Sequence, residues 1–239
     1  MPETLVLLHG FGGTHRAWDP VLPELDPERY NPIVPDLRGH GTKADVRPIS
    51  FEGCVADVLA AAPDTFVLCG YSMGGRIAQK VALEAPERVS RLVLVATSAG
   101  IDDPDARAAR IAEDRALADE VEDMTVEQFV ARWQAQPIFA GTPPEAARFW
   151  AEDLARNQPR ALAEALRTIG GGAMEPFWDR LGELTMPVRV IAGSRDEKFA
   201  TWAREKYPAL IPHAEVHVIE GVGHGIPREA PRELAALIG

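Results

Sequence analysis

Lysine and cysteine are scarce in this 239-residue chain, and no apolar run in it approaches the length of a membrane span. A bilayer-crossing helix needs roughly 18 to 20 consecutive apolar residues, so no span is expected. Lysine occurs only at Lys43, Lys80, Lys198 and Lys206, and 25 basic residues face 36 acidic ones, for a net charge of −11. With no basic patch to neutralise phosphates, nucleic acid is excluded as an expected partner. The two cysteines, Cys54 and Cys69, lack metal-ligand spacing. Cys69 sits in an apolar run as a small buried thiol, and both suit a reducing compartment. Met1-Pro2-Glu3-Thr4 runs straight into Leu5–Leu8 without the basic start of a signal peptide, so a cytoplasmic location is expected.

What is present is enough apolar residue, 46% of the chain, for one substantial core. Six short runs read as strands: Thr4–Leu8, Pro32–Pro35, Thr65–Cys69, Arg91–Ala96, Pro187–Ala192 and Ala214–Ile219. Most are near-continuous Val, Ile and Leu, the pattern of parallel strands buried on both faces. Helices are expected over Phe51–Ala61, capped by Ser50, and over Gly74–Glu84 and Thr201–Leu210. Alternating strand and helix predicts an α/β fold, a doubly wound, mainly parallel sheet. Residues 101–184 interrupt the alternation. They hold no convincing strand, are rich in Ala, Glu, Arg and Leu, and are punctuated at Pro137, Gly141–Pro144, Pro159 and Gly170–Gly172. Four or five helices inserted as a lid are expected there, with residues 1–100 and 185–239 forming the core.

Gly70-Tyr71-Ser72-Met73-Gly74 follows the third strand and opens a helix, the strand–turn–helix context in which Gly-x-Ser-x-Gly projects a nucleophile. His9-Gly10-Phe11-Gly12-Gly13 follows the first strand. In a sheet ordered 2-1-3-4-5-6 the ends of strands one and three flank the switch point where such sheets bind ligands. The backbone N–H groups of Phe11 and Met73 are therefore the expected oxyanion donors. A serine hydroxyl needs a base near pH 7. Among six histidines, His9 belongs to the oxyanion turn, His15 to a helix start, and His213 and His217 to the sixth strand. His40, in Asp36-Leu37-Arg38-Gly39-His40-Gly41, either touches substrate or braces its loop. His224 lies in Gly221-Val222-Gly223-His224-Gly225 past the last strand, and is the expected base. Asp196, just after strand five, completes the chain order Ser72, Asp196, His224. Glu197 is a rival carboxylate that would point elsewhere, and Asp102 and Asp103 are weaker candidates.

These motifs resemble the α/β-hydrolase superfamily over nearly the whole chain. A narrower set is similar to the 2-succinyl-6-hydroxy-2,4-cyclohexadiene-1-carboxylate synthases, pyruvate-eliminating lyases of menaquinone biosynthesis. It comprises Ser72-Met73-Gly74-Gly75-Arg76, Arg107-Ala108-Ala109-Arg110, Asp114-Arg115, Trp133-Gln134-Ala135-Gln136-Pro137-Ile138-Phe139, Ala155-Arg156-Asn157, Leu166-Arg167 and Asp196-Glu197-Lys198-Phe199. The chain departs from that family's usual pattern at Ala99 and over Ile226-Pro227-Arg228-Glu229.

The resemblance implies a substrate with several carboxylates, 2-succinyl-5-enolpyruvyl-6-hydroxy-3-cyclohexene-1-carboxylate. It also implies a pocket lined by Arg76, Arg110, Arg156 and Trp133, with Tyr71 beside the serine as a further candidate. Proton abstraction by Ser72 and loss of pyruvate would follow, with no metal or organic cofactor. Arginines facing a polyanion agree with guanidinium–carboxylate chemistry, whereas an ordinary esterase pocket is mostly apolar. A carboxylesterase or thioesterase working through an acyl-serine is the alternative. A non-catalytic binding protein is disfavoured by the intact Ser72, Asp196 and His224.

Overall fold

In the computed structural model, which describes Met1–Gly239, six strands form one sheet: β1 (Glu3–Leu8), β2 (Tyr30–Ile33), β3 (Phe66–Tyr71), β4 (Val89–Val95), β5 (Val188–Gly193) and β6 (Glu215–Ile219). Their order is β2-β1-β3-β4-β5-β6, as expected, and every neighbouring pair is parallel. Successive side chains point to opposite faces, which is why unbroken apolar runs suit a sheet covered on both sides. Val6, Leu8 and Leu68 join one core layer with α1 (Phe51–Ala61) and α2 (Met73–Glu84). Leu5, Leu7, Val67 and Cys69 join the other layer with Trp18, Leu234 and Ile238. Both cysteines are free and buried, Cys54 in the first layer and Cys69 in the second.

Two expected elements shift. β2 pairs over Tyr30–Ile33 rather than Pro32–Pro35, in register with Glu3–Val6. Pro32 is tolerated because β2 is an edge strand, paired only with β1. The helix expected over Thr201–Leu210 begins earlier, directly after Asp196. It runs as α7 (Glu197–Thr201), a widened turn (Trp202–Lys206) and α8 (Tyr207–Leu210). Pro208 lacks an N–H for the regular ladder, and the widened turn precedes it.

Between β4 and β5 lies a helical insert: α3 (Pro104–Glu122), α4 (Val126–Gln134), α5 (Pro144–Leu154) and α6 (Pro159–Ile169). Their starts are legible chemistry. Proline occupies the first turn of α3, α5 and α6, and Thr125 with Gln128 forms a reciprocal capping box on α4. The insert has its own apolar cluster, including Phe129, Trp133, Trp150, Leu154 and Leu162. No helix is long and apolar enough to cross a membrane. The chain closes with α9 (Ile226–Glu229) and α10 (Pro231–Ile238).

Candidate active site

β3 ends at Tyr71 and α2 begins at Met73, so Ser72 alone makes the turn between them. Its backbone is forced to φ 53°, ψ −113°. Such a conformation costs a non-glycine residue ~1–3 kcal/mol and persists only where surroundings impose it. They do: a Cβ on Gly74 would run into the Leu8 and His9 carbonyls, and the Thr97 hydroxyl donates to the Ser72 carbonyl at 2.7 Å. The turn lifts Oγ above the sheet edge, where it donates to His224 Nε2 at 3.0 Å. His224 Nδ1–H in turn donates to Asp196 Oδ2 at 2.5 Å. His224 and Asp196 side chains are only 4% and 6% exposed, so water competes little for either bond. The expected serine, base and acid thus form one hydrogen-bonded chain across three loops.

The other titratable candidates take structural places. The His9 ring donates through Nδ1 to the Gly10 carbonyl at 2.8 Å and accepts the Leu37 N–H at 2.9 Å, bracing the β1 loop on the β2 loop. His40 packs at a tilt against His9 and edge-on to Phe11, each 5.2 Å away, and its Nδ1–H donates to the Arg38 carbonyl at 3.1 Å. It lines neither cavity beside Ser72, so of its two expected roles it braces the loop. Burial, with the neighbouring His9, drives its pKa down to about 3, and burial lowers that of His9 too. Burial alone would raise the Asp36 pKa. Bonds from the Thr42 hydroxyl, the Thr42 N–H and the His15 N–H outweigh it and hold the group at about 2. His213 is taken up by the Met186 carbonyl, and Asp102 by Lys206.

Phe11 and Met73 present the two expected amide donors. The Phe11 N–H has no intramolecular acceptor, and Met73 opens α2, where the first amides lack partners within the helix. The Phe11 ring packs at a tilt against Trp133 at 4.6 Å, tying the β1 loop to the insert. Trp133 Nε1 is buried with no partner. Three bonds from two side chains at the end of α5 hold the same loop. Asp153 accepts the Thr14 hydroxyl and N–H at 2.5 and 3.1 Å, and Asn157 donates to the Gly12 carbonyl at 2.7 Å.

Two cavities meet at Ser72 and share Phe11, Trp133, Phe139 and His224. The larger, about 210 Å³, contains Arg76, Arg110 and Lys198. Arg76 has no carboxylate partner. Its Nη1 donates to the Gly170 carbonyl at 2.9 Å, and burial and the nearby Arg110 pull its pKa down to about 10, so it stays cationic near pH 7. Arg110 pairs with Asp114 at 2.7 Å, but Asp114 also accepts the Gly172 N–H at 3.0 Å. Lys198 Nζ sits 4.8 Å over the Trp202 ring. Three cations against one shared carboxylate leave this cavity with a surplus of positive charge.

The smaller cavity, about 50 Å³, contains Tyr71, Trp150 and Arg228. Burial raises the Tyr71 pKa, against the pull of the neighbouring Arg228. The Arg228 guanidinium lies 4.0 Å over Trp150.

Arg156 is the one expected pocket residue that the structure does not bring to the site. It is exposed and lines neither cavity. At the turn ending α5, adjacent side chains point in different directions, and Asn157 takes the inward one. Lys198, Asn157, Asp153 and Arg228 were not among the expected site residues. Lys198 has a sequence signal, since it follows Asp196 by two positions, and Asn157 closes the Ala155-Arg156-Asn157 motif; Asp153 and Arg228 are known only by their contacts.

The sequence profile of the alpha/beta hydrolase family matches residues 5–237. The chain belongs to that family. Among curated relatives it is 33% identical to the putative 2-succinyl-6-hydroxy-2,4-cyclohexadiene-1-carboxylate synthase of Bacillus subtilis, over 99% of this chain and 89% of that one. It is 31% identical to the corresponding synthase of an Enterobacter species, over 98% and 89% of the two chains. Among solved structures, MenH from S. aureus superposes with a TM-score of 0.92 at 31% identity, covering 99% of this chain and 91% of the other. A thermophilic esterase from Thermogutta terrifontis, solved with malate bound, gives 0.79 at 26% identity, covering 100% and 88%.

Proposed function

We propose that this protein is a carbon–oxygen lyase that eliminates pyruvate from 2-succinyl-5-enolpyruvyl-6-hydroxy-3-cyclohexene-1-carboxylate, giving 2-succinyl-6-hydroxy-2,4-cyclohexadiene-1-carboxylate. The observation that carries the reading is Arg76: a guanidinium without a carboxylate, in a cationic cavity that opens on Ser72. The synthases named above, which this chain resembles over nearly its full length, supply the reaction.

In this reading Asp196 holds the His224 ring so that Nε2 faces Ser72. His224 draws the hydroxyl proton, and the Ser72 oxygen removes a ring proton acidified by the succinyl carbonyl. Negative charge develops on that carbonyl oxygen, where the Phe11 and Met73 amides receive it, a contribution of ~3 kcal/mol for each donor in such sites. Electrons move through the ring, the bond to the enolpyruvyl oxygen breaks, and the enolate that leaves takes up a proton at its methylene carbon as pyruvate. Arg76 and Arg110 hold carboxylates through charge-assisted bonds, and Trp133 and Tyr71 shape the walls. Residues 101–184 act as the lid over the core formed by 1–100 and 185–239.

The deciding experiment supplies the cyclohexene substrate and follows pyruvate by lactate dehydrogenase coupling; stoichiometric pyruvate is expected, and none would discard the assignment. One observation favours a second reading: the likeness to an esterase at 26% identity. An esterase would pass through an acyl-serine that hydroxylamine traps, whereas the elimination forms no acyl-enzyme.

A further inference from the structure

The base sits on a loop with little means of holding itself still. Gly221-Val222-Gly223-His224-Gly225 offers one bulky apolar side chain besides the histidine itself. Its anchor lies five residues beyond the base. The Glu229 side chain, 2% exposed, folds back under the loop. Its Oε2 accepts the Gly223 N–H at 2.9 Å and its Oε1 accepts the Gly225 N–H at 3.1 Å, so one carboxylate grips the amides on either side of His224. The same Oε2 accepts Arg195 Nη2 at 2.7 Å.

Arg195 reaches three places at once. It precedes Asp196 in the chain, and its own N–H donates to the Val222 carbonyl at 2.9 Å, lacing the acid loop to the base loop. Its Nη1 crosses to the insert and donates to the Gly141 carbonyl at 2.8 Å. Gly141 adopts φ +75°, and a Cβ there would come within 2.7 Å of Nη1. A side chain there would push on the guanidinium and strain the turn. Arg195 makes no other carboxylate contact, so its charge is committed to Glu229.

We propose that Glu229 is the positioning residue for His224, and that Arg195 makes this positioning depend on the lid turn at Gly141. With that turn docked, Arg195 is held against Glu229, and the His224 ring lies on the line between Asp196 and Ser72. With the turn lifted, Arg195 loses one of its anchors and the carboxylate grip on the loop slackens. The inference rests on the roles assigned above to Ser72 and His224, and not on which substrate fills the cavities.

The test compares the full-length wild type with Glu229→Gln, Arg195→Met and Gly141→Ala. One readout is the rate at which a small neutral fluorophosphonate labels Ser72. In that reaction the Ser72 oxygen bonds to phosphorus, fluoride leaves, and the hydroxyl proton passes through His224 to water. The others are kcat and KM for pyruvate release, with melting temperature as the check on folding. Glu229→Gln should lower both the labelling rate and kcat by about 30-fold or more while KM stays within about threefold, because an amide cannot accept from both N–H groups and the guanidinium together.

Arg195→Met should cost about tenfold, and Gly141→Ala about fivefold with a melting temperature lowered by only about 2–4 °C, the strain of alanine at φ +75°. A folded Glu229→Gln protein that labels at the wild-type rate would overturn the positioning role. Wild-type labelling in Gly141→Ala would overturn the dependence on the lid. If Glu229→Gln does not fold, the other two variants, which keep the carboxylate, still decide. Normal labelling of the wild type without pyruvate release would sink the lyase reading and leave this one standing.

Discussion

In the sheet, every residue of Leu5–Leu8, Phe66–Tyr71 and Leu92–Val95 is buried, whereas in the nineteen residues of α3 only Asp114, Ala118 and Val121 are. The strands hold position by removing apolar surface from water, at ~1.5–3 kcal/mol for each fully buried large side chain. The insert relies more on charge. Arg167 pairs with Asp119 and Glu122, Arg107 with Glu175, and Arg132 with Glu120, all at least partly solvated. Ser72, His224 and Asp196 come from loops at the ends of strands. Arg110 and Trp133 come from the insert, and Arg76 leans on it through Gly170. Ser72, His224 and Asp196 thus spring from the ends of strands fixed by apolar burial, and Arg110 and Trp133 from the part held by weaker, salt-sensitive bonds.

The sharpest way to separate the two is at the serine. Ser72→Ala should lower turnover by about 10⁴-fold or more and leave the melting temperature no lower, since the sheet does not depend on the hydroxyl. A variant within about tenfold of wild type would remove Ser72 from the chemistry.

On the recognition side, Arg76→Met should reduce kcat/KM for the tricarboxylate by about 30-fold or more, the effect of leaving a buried carboxylate without its cation. Hydrolysis of a small neutral ester should scarcely change. Equal losses on both substrates would mean that Arg76 supports the insert through Gly170 rather than binding anions.

A smaller effect sets the acid limit of the sheet. His40 has a folded pKa of about 3, below its ordinary value of 6.5, so the unfolded chain takes up the proton first. Its contribution is complete above pH 6.5 and declines as pH falls from there toward about 3. His9 is shifted in the same direction. Asp36 adds its loss later, as pH falls from 3.8 toward about 2. Melting temperature should therefore drop between pH 7 and pH 5, and His40→Asn, which keeps a donor for the Arg38 carbonyl, should flatten that slope. An unchanged slope would mean that other groups set the acid limit.

The smallest effect belongs to the insert. Arg167→Ala breaks two solvated ion pairs and should cost under about 1 kcal/mol in a denaturant melt, diminishing further in high salt. A loss of several kcal/mol would show instead that these ion pairs hold the insert as firmly as apolar burial holds the strands.

What the sequence discloses follows the same division. β1, β3, β4 and β5 are legible because burial on both faces demands unbroken apolar runs. Ser72 is legible because a strand-to-helix turn of one residue needs glycine around it. The triad order is legible once the sheet order is. β2 is misplaced by two residues since an edge strand at Pro32 carries little apolar signal. The early start of α7 is hidden by the polar Asp196-Glu197-Lys198. Asn157, Asp153 and Glu229 are illegible for another reason. Much of their work is done on backbone atoms, and for Asn157 that means a carbonyl 145 positions away. Taking Arg156 rather than Asn157 as the inward residue shows the limit: charge is visible in a sequence, but the direction of a side chain at a helix end is not.

The positive φ at Ser72 means that this protein gives up stability at the very residue it needs for turnover. Glycine accepts φ 53° without penalty, so Ser72→Gly relieves the turn while deleting the nucleophile. Selection for heat resistance alone would carry the lineage toward that replacement, and only selection for turnover holds the serine in place. A thermostability screen run without an activity gate should therefore retain the inactive Ser72→Gly protein.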